Sequence, residues 1–102
     1  MEILRYRAFA TEQGGGNPAG VVLDAAGVPP AQMRQVAAEV GYSETAFVTP
    51  IREHEYQVRY FSPEAEVDFC GHATVATAVA IAETTSSAAN LLMRTNAGPI
   101  EV

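Results

Sequence analysis

A chain of 102 residues with 48% hydrophobic and 18% charged residues has the make-up of one small folded domain, residues 1–102, and lies outside the range of intrinsically disordered sequences. Six Lys and Arg against twelve Asp and Glu give a formal charge of −6, which repels phosphate backbones and anionic headgroups and excludes nucleic acid and membrane surfaces as natural ligands. The single cysteine, Cys70, permits no intrachain disulfide and fits a reducing cytoplasm.

The opening Met1-Glu2-Ile3-Leu4-Arg5 has an acid where an export signal needs a basic flank, and Arg5 and Arg7 interrupt any apolar core. Residues 2–9 alternate, with Leu4, Tyr6 and Ala8 opposing Arg5, Arg7 and Phe9, which predicts a half-buried first strand. Gly14 to Gly20 places four glycines and a proline in seven positions and predicts a loop, after which Val21-Val22-Leu23 resumes a strand. Pro29-Pro30 opens a helix with Met33, Val36, Ala37 and Val40 on one face, and Gly41 stops it. Thr45 to Thr49 reads as a short strand ended by Pro50. Residues 55–61 alternate again, with Tyr56, Val58 and Tyr60 on one face, so a hairpin joins the two across 50–54. Ser62-Pro63 turns the chain, and Leu91 to Thr95 and Ile100 to Val102 predict a last pair of strands around Gly98-Pro99.

Between these lies Ala73 to Ala82, apolar on every side apart from two threonines and far short of the ~20 residues needed to cross a bilayer. A helix without a polar stripe is a buried helix. With one such helix among short alternating strands, the economical architecture is α+β: a curved, mostly antiparallel sheet wrapped around a central apolar helix with all the helix's faces covered.

Two places have residues suited to chemistry. Glu44, in Tyr42-Ser43-Glu44-Thr45, sits between the helix stop and an apolar strand, where partial burial would raise its pKa towards that of a working acid or base; a solvated loop glutamate is the alternative. Cys70-Gly71-His72-Ala73-Thr74 opens the apolar helix, so free amides and the positive end of the helix dipole meet whatever anion lies there. Gly71 permits close approach and His72 can orient a substrate or move a proton, unless the segment is a plain capping turn. Cys70 is either a thiolate favoured by the helix terminus or a simply buried thiol. Asn17-Pro18-Ala19-Gly20 offers backbone donors to a carboxylate or is an ordinary turn. His54, His72 and Cys70 lack metal-ligand spacing, so no metal is expected.

In order, Gly16-Asn17-Pro18-Ala19-Gly20, Ser43-Glu44-Thr45-Ala46-Phe47-Val48, Tyr60-Phe61-Ser62-Pro63 with Glu66, Cys70-Gly71-His72-Ala73-Thr74 and Thr95-Asn96-Ala97-Gly98 closely resemble the PhzF-like family, over nearly the whole chain. The resemblance implies the diaminopimelate-epimerase fold, in which two related domains, each a sheet rolled around a helix, enclose an active site in the cleft between them. It implies Glu44 as the proton-transfer residue and His72 as its partner in the site. Asn17, Ser43, Cys70, Gly71 and Ala73 are the expected substrate-binding residues. The type reaction moves a proton between carbons of a cyclic dihydro-hydroxyanthranilate, on the way to phenazines, without a cofactor. Epimerases of this fold instead use a cysteine from each domain, the first at a position like Cys70; the Glu motif and the His after Gly71 favour the isomerase branch. The chain resembles only the first of the two domains. The expected partners are therefore a small carboxylate substrate and a second half-domain, from another chain or a second copy in a homo- or hetero-oligomer. A non-catalytic half-fold that binds a small carboxylate or a partner protein is the competing reading.

Overall fold

The computed structural model describes residues 3–8, 17–85 and 90–102, with the side chains of residues 6–8 and 17 set aside. Alternation yields the first strand, β1 (Leu4–Ala8), which pairs antiparallel with β2 (Asn17–Val22). β2 corrects the expected loop: Gly14 to Gly16 lie outside the described residues, but Asn17 to Gly20 are strand. Proline is tolerated because Pro18 precedes the stretch of β2 that pairs with its other neighbour, which begins at Ala19. Glycine suits the close packing here, since a Cβ on Gly20 would stand 3.1 Å from both Cγ2 and Oγ1 of Thr45, which would have to give by a few tenths of an ångström.

The first helix, α1 (Pro30–Val40), has proline in its first turn and stops at Gly41, whose φ of 76° is the left-handed conformation and whose N–H donates to the Ala37 carbonyl. It returns the chain to β3 (Glu44–Arg52), parallel to β2. β3 runs beyond the expected end at Pro50. Its pairing with β2 stops at Phe47, so Pro50 lies where β3 is an open edge on that side, and a register shift between Pro50 and Arg52 absorbs the irregularity. The hairpin to β4 (Glu55–Phe61) is tighter than expected and turns at Glu53-His54, with His54 at φ 62°. A two-residue strand that the alternation did not reveal, β5 (Glu66–Val67), pairs with the end of β4. The second helix, α2 (Gly71–Thr85), leads to β6 (Leu92–Thr95), parallel to β4, and to β7 (Gly98–Glu101). The sheet order is β1-β2-β3-β4-β6-β7, with four antiparallel and two parallel pairings once β5 is included.

The two crossovers, β2-α1-β3 and β4-α2-β6, step the same way across the sheet, but their strands run in opposite directions because β3 and β4 are antiparallel. Right-handed connection of both therefore puts the helices on opposite faces. The two cores agree. α1 buries Met33 and Ala37 against Val22, Ala25, Phe47 and Phe61, while α2 buries Ala73, Ala76, Ala80 and Ile81 against Val21, Val48, Tyr60 and Met93. Partly buried Leu4 of β1 and Ile100 of β7 join the α2 cluster too. The core on the α2 side therefore takes in strands from both ends of the sheet, with α2 itself lying against β1, β2 and β3. This is the expected architecture with one correction: α2 is not covered on all sides, and Val75 and Val79 remain 41% and 40% exposed. No helix among the described residues is long and apolar enough to cross a membrane.

Thr45, on the α1 side of β3, is fully buried, and its hydroxyl has no hydrogen-bond partner among the described residues. A sealed, unsatisfied hydroxyl costs about 1–3 kcal/mol. Thr45→Val keeps the shape against Gly20 and is expected to raise stability by roughly 1 kcal/mol in urea titration, with an unchanged m-value.

Candidate active site

β3 starts on its inner face with Glu44, which shares the parity of Ala46 and Val48 and so points to the side occupied by α2. The chain reaches the same corner from the other direction through Cys70, which immediately precedes α2. Four predicted residues meet here. The Ser43 hydroxyl lies 3.5 Å from Nε2 of His72, at the outer limit of a hydrogen bond, and the Cys70 sulfur lies 3.2 Å from Nδ1 of the same ring. Glu44 is close enough to interact electrostatically with both His72 and Cys70.

The carboxylate of Glu44 is unusual for this molecule. Its Oε2 is sealed from solvent and has no hydrogen-bond partner among the described residues, and desolvation pushes its pKa up, with His72 pulling in the other direction. Two other carboxylates show the contrast. Glu66 takes a two-pronged grip from Arg59 at 2.8 and 2.7 Å and a further bond from Asn96, which hold it below the usual carboxylate range. Glu55 is held by Arg94 and Arg52 and is likewise lowered, with the Arg94 hydrogen bond as its main cause. Among the described residues no arginine grips Glu44, and only the charge of His72 works against the effect of its partial burial.

Cys70 caps α2. Its sulfur takes hydrogen bonds from the backbone of Ala73 and His72, which lower the thiol's pKa, but burial outweighs them and the neighbouring charge of Glu44 acts in the same upward direction as burial. The protonated thiol is therefore the resting form, in line with a residue that lines the corner. The Ala73 side chain is fully buried in the α2 core, and its amide is taken up by the Cys70 sulfur. Gly71 is exposed, and a Cβ built there meets nothing within 4 Å. Asn17 pairs through its backbone with Ala8, and its side chain lies outside the described residues. Among the described residues no cluster of three His, Cys, Asp or Glu could hold a metal.

Two polar features escaped the sequence reading, one in this corner and one on the opposite face of the sheet, where Arg59 lies over the Phe61 ring. Tyr60 and Thr74 share a hydrogen bond of 2.7 Å in the core, and Arg59, Glu66 and Asn96 tie β4, β5 and the β6–β7 turn together. A tyrosine on the inward face of a strand and a threonine in an apolar helix each carry a hydroxyl that must find a partner, and this was the available signal.

Residues 6–102 match the PhzC-PhzF family, described as phenazine biosynthesis-like protein. The uncharacterized isomerase YfhB of Bacillus subtilis is 44% identical over 80% of this chain and 28% of its own length. The uncharacterized isomerase mll1393 of Mesorhizobium japonicum is 41% identical over 95% and 33%. Among solved structures, a PhzF-family protein of Enterococcus faecalis superposes with a TM-score of 0.87 at 40% identity, covering 100% of this chain and 40% of that one. A predicted epimerase of Pseudomonas aeruginosa, 20% identical with a TM-score of 0.89, shares the fold. The chain spans about a third of the length of the curated relatives it matches.

Proposed function

Because the chain belongs to the PhzC-PhzF family, we propose that it is the carboxylate-bearing lobe of a cofactor-independent isomerase that moves a proton on a small cyclic or amino carboxylate, with Glu44 as the proton carrier. The supporting observation is the sealed Oε2 of Glu44 beside the start of α2, without a hydrogen-bond partner among the described residues, where the carboxylates of Glu55 and Glu66 are paired with arginine. A group kept half-buried without a structural partner is a functional candidate. In this reading the Glu44 carboxylate takes a proton from a substrate carbon. The electron pair left behind spreads into the adjacent unsaturated or carboxyl system, and the carboxylic acid so formed returns the proton to another carbon. His72 faces the same space and orients the substrate with Ser43. The helix terminus beside Gly71 accepts the substrate carboxylate.

The relatives are about three times as long, and the exposed Val75 and Val79 ridge with the 43% exposed Phe69 marks a face of the α2 region open to a complementary lobe. We assign the other wall of the cleft to such a lobe, whether it comes from a longer chain, a separate one or a second copy. The test is NMR of the full assembly in deuterated water with a panel of small cyclic and α-amino carboxylates. Deuterium incorporation at a substrate carbon is the expected result. Binding without incorporation would establish the non-catalytic half-fold instead.

Gly71 supplies a separate check. Since a side chain there meets no protein atom, Gly71→Ala is expected to change stability by no more than ~0.5 kcal/mol. The same change is expected to weaken binding of the active carboxylate by at least ~10-fold, seen by calorimetric titration, because the methyl intrudes where the carboxylate meets the helix.

A further inference from the structure

Proton transfer between Glu44 and a bound carboxylate requires the start of α2 to stay in register with the start of β3, and the two come from distant parts of the chain. Three threonines of α2 donate to the carbonyl four residues back: Thr74 to Cys70 at 2.8 Å, Thr77 to Ala73 at 2.7 Å and Thr85 to Ile81 at 2.8 Å. Thr74 differs from the other two, because the Tyr60 hydroxyl also lies 2.7 Å from its Oγ1. With the Thr74 proton committed to the Cys70 carbonyl, the Tyr60 O–H must be the donor in that contact. A directed chain results, from Tyr60 to Thr74 to the carbonyl of Cys70, which the Thr74 amide also engages at 3.0 Å.

Tyr60 is fully buried and grips both sides of the turn. Its ring meets Phe69 edge-on at 5.9 Å, just before Cys70, and its hydroxyl meets Thr74 just after His72. Across the sheet Tyr60 is the direct partner of Ala46, two residues along β3 from Glu44 and on the same face. We propose that Tyr60 and Thr74 are positioning residues whose hydroxyl chain fixes the Cys70-Gly71-His72 turn to the strand that carries Glu44. Neither touches the reacting atoms; they act through the turn. What is positioned depends on the isomerase reading, whereas the positioning itself does not.

Cys70 is the sole cysteine, so its alkylation by iodoacetamide reports on the turn without ambiguity. The titratable groups facing its sulfur are His72, Glu44 and Tyr60, and burial holds the thiol protonated; because Tyr60→Phe also removes a neighbouring hydroxyl, Thr74→Val, which leaves these groups in place, is the decisive variant. The rate is measured against pH for the native chain and for Tyr60→Phe, Thr74→Val and Thr74→Ser. Freeing the turn exposes the thiol, so the first two substitutions are expected to raise the rate near about pH 8 by roughly threefold or more and to shift the pH profile down. Thr74→Ser, which keeps the hydroxyl, is expected to restore the native profile. Ile81→Val, at the other end of α2, weakens the core without touching the chain and serves as the stability control. Unchanged profiles in Tyr60→Phe and Thr74→Val, or an equal rise in Ile81→Val, would overturn the proposal. No turnover is involved, so a protein that shifts its alkylation profile yet fails deuterium exchange refutes the isomerase and leaves the positioning role standing.

Discussion

Replacing Glu44 by Gln is expected to abolish deuterium incorporation, by roughly 10²- to 10⁴-fold, while leaving the protein slightly more stable than before. The two effects have a common origin. Glutamine fills the same volume and still offers a polar end, but it neither takes nor gives a proton and cannot be charged. The sealed Oε2 lacks a hydrogen-bond partner among the described residues, so removing the charge relieves desolvation, by a few tenths to about 1 kcal/mol once partial exposure is allowed for. The pH dependence gives an independent sign. Because burial raises the Glu44 pKa in the folded state, the native form binds that proton more tightly than the unfolded chain does. This contribution favours folding below the ordinary carboxylate value of 4.5 and is lost as pH rises through the raised value. Activity of the base runs the other way and grows across the same interval. Urea titrations of the native and Glu44→Gln proteins across this range, beside exchange rates, check both. Full exchange in Glu44→Gln would assign the proton to another residue, and a loss of stability would mean that the carboxylate has a structural partner.

The largest stability loss is expected from Phe47→Ala. Phe47 is 1% exposed, and its ring stands edge-on to Phe61 at 5.5 Å and 89°, against Met33 and Ala37 of α1. Truncation forfeits the transfer energy of the ring and opens a cavity between sheet and helix, a combined loss of about 3–5 kcal/mol. Against a total of about 5–15 kcal/mol for such a domain, the melting temperature is expected to fall by more than ~10 °C. Phe47→Leu, which refills much of the space, should recover most of it. Calorimetry of both variants is the check, and a loss below ~1 kcal/mol would show that α1 contributes little to the stability of β3.

How far the sequence could be read depended on whether the deciding interactions were local. α1 was legible at both ends because Pro30 and Gly41 act through their own backbone. The alternation at Tyr56, Val58 and Tyr60 identified the inward face of β4 because side-chain parity needs no knowledge of neighbours. β2 misled because the close fit of Gly20 against Thr45 is made across the parallel pairing, which the local run of glycines does not reveal. Pro50 misled because its place in a strand depends on where the neighbouring strand ends. The exposed side of α2 carries valines, so composition gave no hint that the cover is incomplete. At the site, spacing alone offered Glu44 and the Cys70-Gly71-His72 turn as separate suggestions, and only the family resemblance joined them before the fold did.

The two groups that converge at this corner travel on different βαβ units, with the β3–β4 ladder from Thr45 to Phe61 as the central seam between them. Severing the exposed Glu53-His54 bend would yield two peptides, one bearing the acid and the other the helix terminus, and neither could assemble the corner by itself. Regained chemistry on mixing would then gauge recognition along that seam, making the domain a natural candidate for fragment complementation.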